Sequence, residues 1–152
     1  MRQIFYLANA RIPTEKAHGI QIVKMCEALA AKGVKVSLVL PWRFNGIKQD
    51  IFKYYKAEKI FSVGRIFSLD LIPLHLPWFG FMAQSLSFAV ACLYLTLKKT
   101  DIIYSRDLWP LVFLSFFGKR LVYEVHSLPK HRFWPNFLFR KSLAIVVITE
   151  KI

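Results

Sequence analysis

The chain has 152 residues, of which 55% are hydrophobic and 16% aromatic, so it can bury the core of one domain and is not disordered. Its 22 Lys and Arg residues against 9 Asp and Glu residues give a formal charge of +13, which favours anionic partners such as phosphorylated ligands, acidic lipids or nucleic acid. Cys26 and Cys92 lie far from any second metal ligand, so we expect buried free thiols in a reducing cytoplasm.

The first three predicted elements form a strand, a helix and a second strand. Residues 3–8 are an uninterrupted β-prone run, and residues 17–32 place apolar side chains on one face of a helix. Gly33 follows where a glycine often ends a helix, and residues 34–40 form the next β-prone run. This order is typical of a βαβ unit and predicts a parallel sheet.

The later elements continue the alternation. We predict a short helix at residues 47–58 and an edge strand at residues 59–67. Three helix and strand pairs follow, with helices at residues 78–98, 109–117 and 135–141 and strands at residues 101–105, 120–125 and 144–149. The sequence therefore predicts an α/β fold class, a Rossmann-like parallel sheet with helices on both faces, over a single domain of residues 1–152.

The segment at residues 71–97 contains no Asp, Glu, Lys or Arg, and it exceeds the ~20 residues that cross a bilayer. Gln84, Ser85 and Ser87 interrupt it, which favours a helix packed on the sheet with one face toward a membrane or a partner domain. A small membrane-anchored protein that uses this segment remains the main alternative.

Several familiar motifs are absent from the sequence. It contains no P-loop, G-x-S-x-G elbow, H-E-x-x-H pair or cysteine metal knuckle, so we predict no metal site. Its basic residues form neither a recognition helix nor an RNP-type strand. We therefore expect no nucleic-acid partner, and a basic anion-binding or nucleic-acid-binding module stays a second alternative.

Polar residues gather where the first, fourth and fifth predicted strands end, the edge at which open parallel sheets bind ligands. The candidates are Arg11, His18, Gly19, Arg106, Asp107, Glu124 and His126. A glycine at a helix entrance lets backbone approach a ligand, and a helix N-terminus favours negative charge. A strand-end imidazole can bind a sugar hydroxyl or a phosphate. These residues predict a site for a ligand with hydroxyl or phosphate groups.

Each candidate also has a structural alternative. Gly19 could relieve crowding where the helix meets the sheet. Arg106 and Asp107 could pair only with each other, and His126 could have a purely structural role. Spacing alone does not decide between these alternatives.

Four segments together resemble a known family. In order they read NARIPTEKAHGIQIVKMCEALAAKGVKVSLVLP, DIIYSRD, YEVHSLP and AIVVITEKI. Their order and spacing resemble the N-terminal half of family 4 glycosyltransferases of the GT-B fold, over essentially the whole chain.

The resemblance implies a retaining, metal-independent transfer of sugar from a UDP- or GDP-linked nucleotide sugar, with no other cofactor, to a glycan or lipid-linked acceptor. His126 matches the histidine beside the transferred sugar, and Gly19 matches one glycine of a pair near the donor phosphates. His18 replaces the other glycine of that pair. Arg106 and Asp107 match a loop that faces the cleft.

The resemblance also implies a partner domain and a cellular place. The nucleotide-sugar domain is expected after residue 152, so we expect this chain to be an acceptor-binding half that is inactive alone. Basic and aromatic segments at residues 43–65 and 130–141 could contact anionic lipids. We expect a cytoplasmic protein, peripheral at the inner face of the membrane.

Overall fold

The computed structural model describes residues 3–69, 77–96, 102–126 and 133–148. Within them, strands and helices alternate along the chain. The strands are β1 (Gln3–Leu7), β2 (Lys35–Pro41), β3 (Ser62–Ile66), β4 (Ile102–Ser105), β5 (Arg120–Val125) and β6 (Ala144–Val147). The helices are α1 (Ala17–Ala31), α2 (Ile51–Tyr55), α3 (Pro77–Leu95), α4 (Leu108–Ser115) and α5 (Phe133–Lys141).

All six strands are parallel and form one sheet in the order β3-β2-β1-β4-β5-β6. The chain builds outward from β1 to β3, returns to place β4 beside β1, and then builds outward to β6. The neighbours β1 and β4 therefore send their connections in opposite directions, which makes their carboxyl ends a topological switch point. The predicted fold class is confirmed, with β3 as an edge strand.

Alternating side chains divide the core into two layers, as the period of a strand requires. Phe5 and Leu7 of β1 belong to one layer, and Tyr6 and Ala8 belong to the other. The first layer includes Phe88, Leu111 and Leu138 from α3, α4 and α5, and the second includes Ile22 and Ile51 from α1 and α2. Both faces of the sheet are thus covered by helices.

Helix α2 is shorter than the sequence predicted, because both of its ends are set locally. The Asp50 carboxylate accepts hydrogen bonds from the backbone N–H groups of Phe52 at 3.0 Å and Lys53 at 3.3 Å, which starts the helix there. Lys56 has a left-handed φ of 50° and stops it. The predicted helix at residues 47–58 was therefore too long at both ends.

The charge-free segment is largely helix α3, and its polar residues fasten that helix to the sheet. Gln84 and Ser85 are buried, and both are hydrogen-bonded to the side chain of Asn9 at the end of β1. In the part of the chain that the structure describes, no helix is long and apolar enough to cross a membrane. Residues 71–76 and 97 of the predicted span lie outside the described residues.

Both cysteines are free and buried, as the sequence predicted. Burial raises the pKa of the Cys26 and Cys92 thiols, because the thiolate would lose its hydration. Each thiol therefore acts as a small apolar group in its core layer.

Candidate ligand-binding site at the carboxyl edge

A buried carboxylate, that of Glu124 at the end of β5, organises the candidate site. The Tyr6 hydroxyl donates to its Oε2 at 3.1 Å, and Gln21 Nε2 donates to its Oε1 at 3.1 Å. Nε2 of His126 lies 2.5 Å from the same Oε1. A buried carboxylate is costly unless it is paired and hydrogen-bonded, so these donors are what hold it there.

Glu124 is fully buried, and its predicted role in binding a ligand stays a prediction. Its side chain is 0% exposed, whereas that of His126 is 23% exposed. The imidazole is thus the more accessible of the two groups at the sheet edge. The carboxylate supports the imidazole through their hydrogen bond.

The pairing with Glu124 also sets the orientation of the His126 ring. In the tautomer that donates to the carboxylate oxygen facing it, Nε2 of His126 carries the proton. The second ring nitrogen, Nδ1, is then the one available for another partner. This arrangement suits a histidine that presents Nδ1 to a ligand.

Gln21 connects the end of β4 to the buried carboxylate. The Arg106 guanidinium donates from Nη1 to Gln21 Oε1 at 3.0 Å, which turns the amide nitrogen of Gln21 toward Glu124. Gln21 was not among the residues that were predicted for the site. Its position three residues after His18 was the available signal, because such residues share one side of a helix.

Two buried tyrosines, Tyr6 and Tyr104, lie beside the carboxylate of Glu124. The rings of Tyr6 and Tyr104 stack with centroids 4.9 Å apart. Burial raises the pKa of both phenols, and Glu124 adds to the effect, so both stay protonated donors. This role of the two tyrosines was not predicted, because aromatic residues in a strand normally indicate core.

Asp107 ties the end of β4 to the end of β1. Its carboxylate accepts a hydrogen bond from the backbone N–H of Asn9 at 2.6 Å. Burial raises the pKa of Asp107, and the Asn9 hydrogen bond acts against that rise. Arg106 binds Gln21 instead, so the alternative in which Arg106 and Asp107 pair only with each other is wrong.

His18 lies, partly buried, in the first turn of α1. Burial lowers the pKa of His18, and the positive charges of Arg106 and Lys16 lower it further. These cations adjoin a helix N-terminus whose N-cap residue, Lys16, makes no side-chain cap hydrogen bond. Both features favour an anion at this place.

Gly19 is accounted for by close packing. A Cβ atom at this position would lie 2.2 Å from the Tyr55 hydroxyl and 2.7 Å from Cγ2 of Thr14. That hydroxyl is held in place, since it accepts from Thr14 N at 2.7 Å and donates to Thr14 O at 2.8 Å. Packing alone thus requires glycine here, and a role of Gly19 in binding stays a prediction.

Arg11 occupies the outside of the same loop. It pairs with Glu15 at 3.7 Å, and their side chains are 47% and 68% exposed. Exposed pairs of this kind contribute little to stability. None of the hydrogen bonds and ion pairs seen among the described residues joins Arg11 to Glu124 or its partners, so its binding role stays a prediction.

The site thus assembles at the switch point from three parts of the chain. The predicted residues brought together there are His18, Arg106, Asp107, Glu124 and His126. Within the described ranges, no group of three or more His, Cys, Asp or Glu could hold a metal ion. The cluster combines hydrogen-bonding groups with positive charge, as a ligand with hydroxyl and phosphate groups requires.

Comparison with known proteins gives a likeness in fold. No protein-family model and no curated protein matches the sequence. The solved structure of apo UGT2 from Phytolacca americana matches 84% of this chain and 30% of its own, with 16% identity and a TM-score of 0.57. That of CalG4, the calicheamicin glycosyltransferase, matches 92% of this chain and 35% of its own, with 10% identity and a TM-score of 0.53.

At these identities the likeness shows the fold alone. The chain has the Rossmann-like architecture of the N-terminal domain of GT-B glycosyltransferases. It spans about a third of the length of each solved structure that it matches. Membership of family 4 stays a prediction from the sequence.

Proposed function

We propose that this chain is the acceptor-binding half of a glycosyltransferase, which moves a sugar from a nucleotide-sugar donor to an acceptor hydroxyl. The observation that carries the proposal is the cluster of Arg106, His126 and Glu124 at the switch point of the sheet. A ligand at that point is the rule for open α/β sheets. The likeness in fold to the glycosyltransferase CalG4 supports the reaction class.

The proposed chemistry assigns His126 to the transferring sugar. In such a transfer the bond between the sugar and the donor phosphate breaks, and the acceptor hydroxyl forms the new bond and gives up its proton. His126, oriented by Glu124, can hydrogen-bond a sugar hydroxyl through Nδ1. The Arg106 guanidinium lies in this cluster, where its positive charge would offset the charge that develops on the leaving phosphate.

The proposal keeps the stereochemistry and metal independence that the sequence resemblance implies. Transfer retains the configuration of the sugar. Positive side chains of the protein, and not a metal ion, offset the negative charge of the leaving diphosphate. The donor is a UDP- or GDP-linked sugar, and the acceptor is a glycan or a lipid-linked sugar.

A second domain is part of the proposal, because the glycosyltransferase structures that the chain matches are about three times as long. That domain would bind the nucleotide, so this chain alone is expected to turn over little or no donor. We further propose that the protein works at the cytoplasmic face of a membrane. Its formal charge of +13 supports attraction to anionic lipids.

A transfer assay tests the proposal. Lysate and membranes of cells that express the protein carrying this chain are given tritiated UDP-glucose or GDP-mannose, and label in glycan and lipid fractions is counted. His126→Ala should lower transfer by about 10²-fold or more, as expected when a group at the reacting centre is lost. Lys35→Ala is the control and should leave transfer unchanged, because Lys35 is exposed at the amino end of β2, away from the site. Normal transfer by His126→Ala would disprove the assigned role.

A further inference from the structure

The two helical layers of the fold differ in what they expose to solvent. Among the described residues of α1 and α2, Ile20 is the one large apolar side chain that is exposed. On the other side of the sheet, Leu86 and Val90 are exposed one turn apart on α3. Phe116, directly after α4, and Phe133, the first residue of α5, are exposed as well. The outer surface of α3, α4 and α5, the α3–α5 face, is therefore apolar, unlike that of α1 and α2.

The α3–α5 face is one continuous surface. A groove of about 360 Å³ between α3 and α4 and a groove of about 760 Å³ between α3 and the end of β3 share Ala83 and Leu86. Phe116 lines the first groove and Phe67 lines the second. The surface continues onto α5, because the ring of Phe137 stacks on that of Phe116 with centroids 5.6 Å apart. An exposed apolar surface of this extent indicates contact with another surface.

The charges of the α3–α5 face have one sign. Helices α3 and α4 contain no Asp, Glu, Lys or Arg, and the charged residues of α5 are Arg140 and Lys141. Both are exposed in the last turn of α5, and Arg140 follows the exposed Phe133 by seven residues, on the same side of the helix. Lys119 lies at the end of α3, because its ammonium donates to the backbone oxygen of Thr96. Cations thus lie at the ends of α3 and α5, and the three helices carry no carboxylate.

This combination distinguishes between possible partners of the α3–α5 face. A second copy of the chain, placed face to face, would offer its own α3, α4 and α5, which bring no carboxylate to Arg140 or Lys119. An anionic bilayer offers hydrocarbon to the apolar centre and phosphate groups to the cations. Aromatic residues beside basic ones are typical of protein surfaces at the boundary between membrane and water.

We propose that the α3–α5 face lies in the surface of an anionic lipid bilayer. Leu86, Val90 and Phe116 enter the boundary between head groups and acyl chains, and Arg140, Lys141 and Lys119 contact lipid phosphates. This inference rests on the proposed membrane location and names the surface that makes the contact. It differs from attraction by net charge alone, because it requires apolar side chains to enter the bilayer.

Sedimentation of this chain with vesicles of equal parts phosphatidylcholine and phosphatidylglycerol provides the test. Leu86→Glu should weaken binding about tenfold or more, because it places a carboxylate at the centre of the contact. Leu86→Phe, which keeps an apolar side chain, should bind as the wild type does. Ile20→Glu is the matched control, because Ile20 is 48% exposed on α1 and Leu86 is 54% exposed on α3. It should bind as the wild type does.

A second pair of variants tests the charges. Arg140→Ala combined with Lys141→Ala should weaken vesicle binding about thirtyfold, at about fivefold for each cation near an anionic bilayer. Lys53→Ala combined with Lys59→Ala removes the same charge from the basic segment around α2 and should change binding about twofold or less. Vesicles of phosphatidylcholine alone should bind the wild type about tenfold more weakly or less still.

Three results would overturn the inference. The first is an equal loss in Leu86→Glu and Ile20→Glu, and the second is a larger loss from the Lys53 and Lys59 pair than from the Arg140 and Lys141 pair. The third is a wild-type dimer that Leu86→Glu disperses without changing vesicle binding, since the face would then be a contact between copies.

The outcomes separate this inference from the function on which it rests. If vesicles bind as stated and no nucleotide sugar supports transfer, the membrane surface stands and the glycosyltransferase proposal fails. If labelled sugar is transferred but Leu86→Glu binds vesicles as the wild type does, only the assignment of the surface fails.

Discussion

The end of β5 and the loop after β1 both look like ligand-binding regions in the sequence, yet the structure uses them differently. At the end of β5, buried Glu124 orients the partly exposed His126. In the loop after β1, Gly19 packs against Tyr55 and Arg11 pairs at the surface with Glu15. Polar and glycine residues after a strand can thus either present groups to a ligand or hold the loop in place. Burial and hydrogen-bond partners distinguish the two uses.

Removing the buried carboxylate should give the largest effect on stability. Glu124→Ala leaves Tyr6, Gln21 and His126 without their shared acceptor, and breaking such a buried network typically costs about 3–5 kcal/mol. Urea unfolding measures the loss. Glu124→Gln, which keeps one acceptor oxygen, should lose less and should alter the His126 tautomer in imidazole ¹⁵N spectra.

Glu15→Ala is the matched control for Glu124, because it removes a carboxylate that is 68% exposed in the other region. Its effect should stay within about 0.5 kcal/mol. A comparable loss from both substitutions would mean that the two regions do not differ as described.

Adding one methyl group in the loop after β1 should give the next largest effect. Gly19→Ala would bring Cβ into the Tyr55 hydroxyl, so we expect a loss of about 1–3 kcal/mol in the free energy of unfolding. The tautomer of His126 should not change. In a Tyr55→Phe background the penalty of Gly19→Ala should shrink, which a double-mutant cycle measures. A penalty of the same size in both backgrounds would show that the clash has another origin.

The smallest effect should be the titration of His18. Because burial and Arg106 lower the pKa of His18, the folded state binds its proton less readily than the unfolded state. Protonation therefore opposes folding, and stability should fall as the pH drops through the unfolded-state pKa toward the lower folded-state pKa. NMR titration should place the pKa of His18 below its ordinary value in the wild type and closer to it in Arg106→Ala. An unchanged pKa in Arg106→Ala would separate His18 from the cluster.

Much of the fold follows from local pattern, and the edge of the site follows from the rule for parallel sheets. Arg106 and His126 were predicted to lie close together because they follow the carboxyl ends of β4 and β5. Tyr6 and Gln21 were missed, because their roles come from pairing with a residue more than a hundred positions away, Glu124. The burial of Glu124 was not predicted either, because a charged residue at a strand end is normally exposed.

The central claim is that the switch-point cluster, and not merely the most basic surface, binds the anionic ligand. A groove beside β3 offers Lys48, Lys59 and Arg65 and is the natural competitor on charge alone. Titration of this chain with pyrophosphate, followed by imidazole and backbone NMR shifts, compares the two places directly. We expect saturable shifts at His18 and His126 that disappear in Arg106→Ala. Shifts confined to the groove beside β3, with both histidines unmoved, would contradict it.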